Sequence, residues 1–279
     1  MVFLIEILKA ILQGIVQGIT EWLPVSSTGH ILLLDAAWPM LGGAEFFDVF
    51  KVIIQLGSIM AVVVLYFHKL NPFSPKKTAA EKKGTWVLWS KVLVASIPAA
   101  IAGLALDDLI DGVLSVPVVI AAALIVYGIA FIVMESRKNR TTKVETVEDV
   151  TYKHAFGIGA FQMLALIPGT SRSGSTILGA SLLGTSRTAA AEFSFFMAIP
   201  VMLGASGLKL AKCFLLDNYT FTADEWILLA VATVVSFVVS LLVIRGLMAF
   251  IKKHSFKPFG WYRIALGAVV LGCLALGWL

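Results

Sequence analysis

Charge is scarce in this chain: Asp, Glu, Lys and Arg make up 14% of its 279 residues, against 59% hydrophobic. That balance excludes a soluble globular domain, in which roughly a quarter of residues are charged. It implies an integral membrane protein with room for about six or seven spans and little else. Cysteine is nearly lacking. Cys213 and Cys273 show neither disulfide nor metal-ligand spacing, so neither a disulfide framework nor a cysteine metal site is expected. No cleavable leader is expected either, because the first apolar run has no basic start and no small-residue cleavage site. The net charge of +5 lies in loops between apolar runs. It reads as a topology signal, and no nucleic-acid partner is expected.

Against this background, two polar interruptions stand out. Residues 17–30 read Gln-Gly-Ile-Thr-Glu-Trp-Leu-Pro-Val-Ser-Ser-Thr-Gly-His, inside an apolar stretch at 2–34. That stretch is too long for one span of ~20 residues and too short for two. Pro24 and Gly29 break the helix near its middle. Non-helical backbone at membrane depth is tolerated only beside protein or a water-filled cavity. The stretch therefore reads as a helix–break–helix hairpin that enters the bilayer and returns.

Residues 162–175, Gln-Met-Leu-Ala-Leu-Ile-Pro-Gly-Thr-Ser-Arg-Ser-Gly-Ser, form a second such break. An offset of 145 aligns Gln17 with Gln162, Ser26 with Ser171, Thr28 with Ser173 and Gly29 with Gly174. Further on, an offset of 147 aligns Ala44-Glu45-Phe46 with Ala191-Glu192-Phe193, and Leu56-Gly57 with Leu203-Gly204. The chain reads as two copies of one membrane module. The first, 1–134, holds a hairpin (2–34) and spans at 46–67, 86–106 and 113–134. A polar linker follows at 135–153. The second copy, 154–279, holds a hairpin (154–184) and spans at 187–209, 225–247 and 260–278.

Lys and Arg concentrate in the loops 68–85, 135–153 and 248–260, which are therefore expected inside. The loops at 107–112, with Asp107, Asp108 and Asp111, and at 210–224 are expected outside. Three full spans per copy is an odd number, so the copies should enter the membrane in opposite directions. The expected fold is an all-α polytopic inverted repeat with both termini outside, its two broken elements meeting near the midplane.

Arg172 is the most informative residue. A charge at the bilayer centre costs at least ~2.5–3.5 kcal/mol, so it should face a partner or an aqueous cavity. Around it stand the hydroxyls of Thr170, Ser171, Ser173 and Ser175, and N–H groups freed by Gly169 and Gly174. A helix restarting near Ser171 would add its positive N-terminal end. The first break offers the same restart at Ser26–Thr28. A guanidinium in such a nest suits phosphate oxygens. The alternative is that Arg172 pairs with Glu21 or Glu192 to neutralise a buried charge. Glu21 and Gln17 share a helical face, and Ser27 and His30 are placed to share another. Carboxylate, hydroxyl and imidazole in one break supply the parts for nucleophilic or general acid–base attack. A secondary transporter or lipid flippase, with the nest carrying an anion across, is the rival reading.

These residues carry a family resemblance. Gln17 to Glu21 matches a Glu/Gln-x-x-x-Glu motif. Pro24, Ser26, Ser27, Gly29 and His30 match Pro-x-Ser-Ser-x-Gly-His, and Pro168, Gly169, Ser171, Arg172, Ser173 and Gly174 match Pro-Gly-x-Ser-Arg-Ser-Gly. With Gln-Leu-Gly-Ser at 55–58 and Glu-Phe-Ser-Phe at 192–195, the sequence resembles the bacterial undecaprenyl-diphosphate phosphatases linked to bacitracin resistance. The resemblance implies hydrolysis of the C55 diphosphate lipid to its monophosphate, recycling the carrier for wall polymers. It implies catalytic roles for Glu21, Ser27, His30 and Arg172, at an outward-facing site in the plasma membrane; from the residues themselves, Ser26, Thr28, Gly169, Thr170, Ser171, Ser173 and Gly174 are expected around the diphosphate. It also implies Mg²⁺ or Ca²⁺ as cofactor. Gln at position 17 removes one carboxylate from the motif, so a cation would rely on Glu21, Gln17, substrate oxygens and water. Whether Ser27 or His30 is the nucleophile stays open, as does assembly into a homodimer.

Overall fold

The computed structural model describes residues 2–106, 116–137, 142–215 and 219–279. The acidic turn at 107–112, the start of the span expected at 113–134, Lys138 and Arg140 of the linker, and Asp217 lie outside them. The described elements are helical. The first half of the chain comprises α1 (Val2–Thr20), α2 (Ser27–Ala37), α3 (Gly43–Leu65), α4 (Phe67–Leu70), α5 (Ala79–Ala105) and α6 (Pro117–Ser136). The second comprises α7 (Tyr152–Met163), a 3₁₀ turn (Leu164–Leu166), α8 (Arg172–Leu182), α9 (Arg187–Leu215), α10 (Ala223–Ile251) and α11 (Lys257–Ala275). Seven of these helices (α1, α3, α5, α6, α9, α10 and α11) are long and apolar enough to cross a membrane. Their apolar side chains, such as Leu104, Val126, Val234 and Leu242, stay exposed around the outside. The protein is an all-helical, multi-pass membrane protein.

Several helices start before their apolar stretch does. Thr78 and Glu81 form a reciprocal capping box that launches α5, and Thr222 and Glu225 do the same for α10. These boxes satisfy two of the orphan N–H groups at each start. A polar first turn is therefore helical even though hydropathy alone reads it as loop. The linker also differs from its polar reading. Val144, Val147 and Val150 are buried, and Val144 pairs with Thr185 in an isolated bridge. Residues 142–151 thus form a strap packed under the end of α8.

The packing interleaves the two halves of the chain. Helix α1 lies against α10 of the second half, and α7 lies against α5 of the first. Both pairs run parallel: Gly14 and Gly18 meet Ala232 and Ser236, while Tyr152 and Gly159 meet Ser90 and Ala95. A Cβ at Gly14 would sit 2.6 Å from the Ala232 carbonyl, and one at the equivalent Gly159 would collide with the Ala95 carbonyl. Glycine is what permits this approach. The last helices, α6 and α11, pair with each other and antiparallel, since Gly128 meets Gly260 while Ala121 meets Gly267.

Candidate active site

Both breaks end in the same local structure. Ser26 and Ser171 have φ of 73° and 72°, the two positive-φ residues other than glycine among those described. Each is the N-cap of a short helix, and each accepts a hydrogen bond from the N–H three residues on, Gly29 or Gly174. Left-handed backbone costs a non-glycine residue roughly 1–2 kcal/mol, which the cap bond offsets by about 1 kcal/mol. The turn needs serine for the cap and tolerates it in the strained conformation.

The two breaks touch. Ser173 Oγ donates to the carbonyls of Glu21 (3.0 Å) and Leu23 (3.2 Å). Arg172 Nη2 donates to Glu21 Oε1 at 3.1 Å, and Arg172 Nη1 donates to the Ser194 carbonyl at 2.8 Å. Glu21 Oε2 in turn accepts from Gln17 Nε2 at 3.0 Å and from Ser27 Oγ at 3.1 Å. One carboxylate thus joins the hydroxyl of one break to the guanidinium of the other. Arg172 and Glu21 are both almost fully buried, so removing either would strand a charge in an apolar medium. Of the two carboxylates that the sequence offered as partners for Arg172, Glu21 takes it. Glu192 pairs with Lys69 at 2.9 Å instead.

His30 is held at both ring nitrogens. Nδ1 lies 2.7 Å from the Ser26 carbonyl, and a carbonyl can only accept, so Nδ1 carries the proton. Nε2 is then the lone pair, and the Tyr262 hydroxyl donates to it at 2.6 Å. The Tyr262 ring also stacks on the imidazole, 5.5 Å between centroids and 7° between planes. Ser27 bonds to Glu21, and His30 to Ser26 and Tyr262. Thr28 is exposed beside them, while Thr170 is fully buried and Ser171 Oγ lies 3.1 Å from Ser173 Oγ.

Three participants carried no mark in the sequence reading. Trp22 is fully buried under the Arg172 guanidinium, 5.6 Å from ring to Cζ. Tyr262 is the second. The third, Arg263, is fully buried on α11 and clamps the breaks together: Nη1 donates to the Pro24 carbonyl (3.1 Å), and Nη2 to those of Gly169 (2.9 Å) and Thr170 (2.8 Å). Its signal was available, because an arginine inside the apolar run 260–278 needs the same explanation as Arg172.

Some hydrogen-bonding capacity around the site is unused. Arg172 Nε, Trp22 Nε1, Thr170 Oγ1 and Gln17 Oε1 are buried without a protein partner. Buried donors without acceptors are costly, and they suit a ligand that brings oxygens. No group of three or more His, Cys, Asp or Glu suited to a metal occurs among the described residues. The protein oxygens that fit a hard cation here are Glu21 Oε and the unpartnered Gln17 Oε1. They suit an open site completed by a ligand, not a closed resident one.

Fold and site together define a polytopic helical membrane protein in which two helix breaks pool a carboxylate, hydroxyls, an imidazole and a guanidinium. Comparison with known proteins narrows this. Residues 10–269 match the model of the family described as bacitracin resistance protein BacA, and the chain belongs to that family. It is 57% identical over 265 residues to the undecaprenyl-diphosphatase of Enterococcus faecalis, covering 95% of this chain and 96% of that one. It is 55% identical over 273 residues to that of Latilactobacillus sakei, with 98% and 99% covered. Undecaprenyl-diphosphatase 1 of Clostridioides difficile is 56% identical over 268 residues, with 96% of each chain covered.

Proposed function

We propose that this protein hydrolyses undecaprenyl diphosphate to undecaprenyl phosphate and inorganic phosphate, returning the lipid carrier to wall synthesis and so conferring bacitracin resistance. The observation that carries this reading is the Ser27–Glu21–Arg172 chain of hydrogen bonds, which sets a nucleophile, a base and a phosphate-binding cation side by side.

Arg172, the N–H groups at the starts of α2 and α8, and the hydroxyls of Thr28, Ser171 and Ser173 hold the diphosphate. Ser27 Oγ attacks the terminal phosphorus while its proton passes to Glu21 Oε2, and the bridging P–O bond breaks to release undecaprenyl phosphate. Water then cleaves the phosphoserine. Phosphoryl transfer depends mainly on positioning and charge neutralisation, and Arg172 does both. His30, with Nδ1 fixed by Ser26, presents Nε2 once Tyr262 gives way, and moves a proton at the leaving oxygen. Glu21 and Gln17 would hold a Mg²⁺ or Ca²⁺ brought by the diphosphate. Such a cation supplies further neutralisation of the phosphate oxygens.

The site belongs to an inverted-topology repeat of two re-entrant hairpins, with the catalytic break open to the outer face of the bacterial plasma membrane and both termini outside. Support comes from the exchange of α1 and α7 between copies and from the antiparallel pairing of α6 with α11. The second hairpin arms, α2 and α8, have 11 residues each. At 1.5 Å per residue they reach about 16 Å, roughly half the hydrocarbon thickness.

Purified protein in detergent should release phosphate from undecaprenyl diphosphate. No gradient exists in a micelle, so turnover there separates an enzyme from a transporter of the same architecture. Absence of release from any prenyl diphosphate, with or without divalent cation, would overturn the assignment.

A further inference from the structure

The polar residues of α1 fall on one face, and that face is buried. Glu6, Lys9, Gln13, Gln17 and Glu21 follow one another at intervals of three or four, so they form one stripe along the helix. Glu6 is 3% exposed, Gln13 1% and Gln17 0%, whereas Val2, Leu4, Ile5, Leu8 and Ile19 face outward. The two ends of the stripe are partnered. At one end Lys9 Nζ donates to Glu6 Oε1 (2.8 Å) and to the Pro39 carbonyl (2.6 Å), and Leu41 N–H donates to Glu6 Oε2 (2.8 Å). At the other end Gln17 Nε2 donates to Glu21.

The middle is different. Both polar atoms of the Gln13 side chain and Gln17 Oε1 are buried with no protein partner. A dry amide in that position costs more than a typical hydrogen bond contributes, and in buried polar sites the usual remedy is water with two to four polar partners. Gln13 and Gln17, one turn apart, offer such partners on the way from the rim at the exposed Pro39 and Leu41 to Glu21.

We propose that the buried polar face of α1 binds a line of water molecules, from the Glu6–Lys9–Leu41 rim past Gln13 and Gln17 to Glu21, and that this line supplies the hydrolytic water. The assignment rests on the phosphatase reading above. In the step it serves, Glu21 has already passed the Ser27 proton to the departed undecaprenyl phosphate, so the water oxygen bonds to the phosphorus of phosphorylated Ser27 and gives one proton to the free carboxylate. The Ser27 Oγ–P bond breaks, Oγ regains that proton, and inorganic phosphate leaves.

Two measurements test it, both on the full chain. The first needs no turnover. In a protein whose Cys213 and Cys273 are replaced by Ala, silver ion, which is close to water in size and reacts with thiolates in aqueous surroundings, should protect Gln13→Cys from later alkylation. Leu8→Cys, on the lipid side of the same helix, should stay unprotected. Equal reactivity at the two positions overturns the water line. The second reads chemistry. Gln13→Leu should lower kcat about ten-fold, leave KM for undecaprenyl diphosphate unchanged, and raise the acid-stable phosphate on Ser27, with Gln13→Asn restoring part of the rate. Wild-type kcat in Gln13→Leu, accompanied by a higher melting temperature, overturns the supply role and marks Gln13 as a packing residue. If wild-type protein released no phosphate at all, the phosphatase reading would fall, and the silver experiment would still decide whether the α1 face is wet.

Discussion

Ser26 and Ser171 cap their helices alike, at φ of 73° and 72°, yet the residues around them differ in kind. Position by position, Glu21, Ser27 and His30 of the first break answer to Leu166, Arg172 and Ser175 of the second. One break therefore carries a carboxylate, a hydroxyl and an imidazole, and the other carries the guanidinium. The two turns share a serine N-cap, each at a helix start. The carboxylate and the guanidinium thus sit on separate elements until the fold brings them together.

Breaking the cationic side should have the largest effect. Arg172→Ala removes the proposed phosphate fork and strands Glu21, and phosphate release should fall about 10³-fold or more. Arg172→Lys should recover little, because an ammonium cannot make the same two-pronged contact. On the nucleophilic side, Ser27→Ala should lower kcat about 10²- to 10³-fold. Acid-quenched wild type should carry phosphate on Ser27 and the variant none. Phosphate found on His30 in the variant would move the nucleophile to that residue. Tyr262→Phe keeps the ring stacked on His30 and deletes only the donor to Nε2. It should lower kcat by about 5- to 10-fold with KM little changed, and equal losses in both constants would point to a packing role. Smallest of all, Ser26→Gly and Ser171→Gly each relieve positive φ and lose a cap. Their melting temperatures should shift in the same direction, each by the equivalent of less than about 1 kcal/mol. Opposite signs would break the equivalence of the two turns.

Much of this was legible in the sequence for local reasons. Pro24, Gly29, Pro168 and Gly169 interrupt apolar runs, and a helix break needs no knowledge of its neighbours. The alignment of Ser26 with Ser171 was visible as a repeat for the same reason. Arg172 drew notice because a charge among apolar residues demands an explanation. Arg263 made the same demand unheeded, and Tyr262 made none, since a tyrosine in a membrane helix is ordinary. The valines of 142–151 were hidden by the charges that alternate with them. The helix start at Ala79 precedes the apolar run at 86–106 because a capping box, not hydropathy, defines it.

By itself, then, the order of residues determined where helices run, where they stop and which positions are duplicated, because hydropathy, caps and glycine–proline punctuation act within a few residues along the chain. Only the tertiary structure decided the partnerships: Arg172 with Glu21 across 151 positions, Tyr262 with His30 across 232, and Arg263 with both turns at once. A side chain finds such a partner through how helices cross, and in this protein the crossings are set by close contacts such as Gly14 against Ala232 and Gly128 against Gly260. Those contacts depend on surfaces that exist only after the two halves of the chain have packed together.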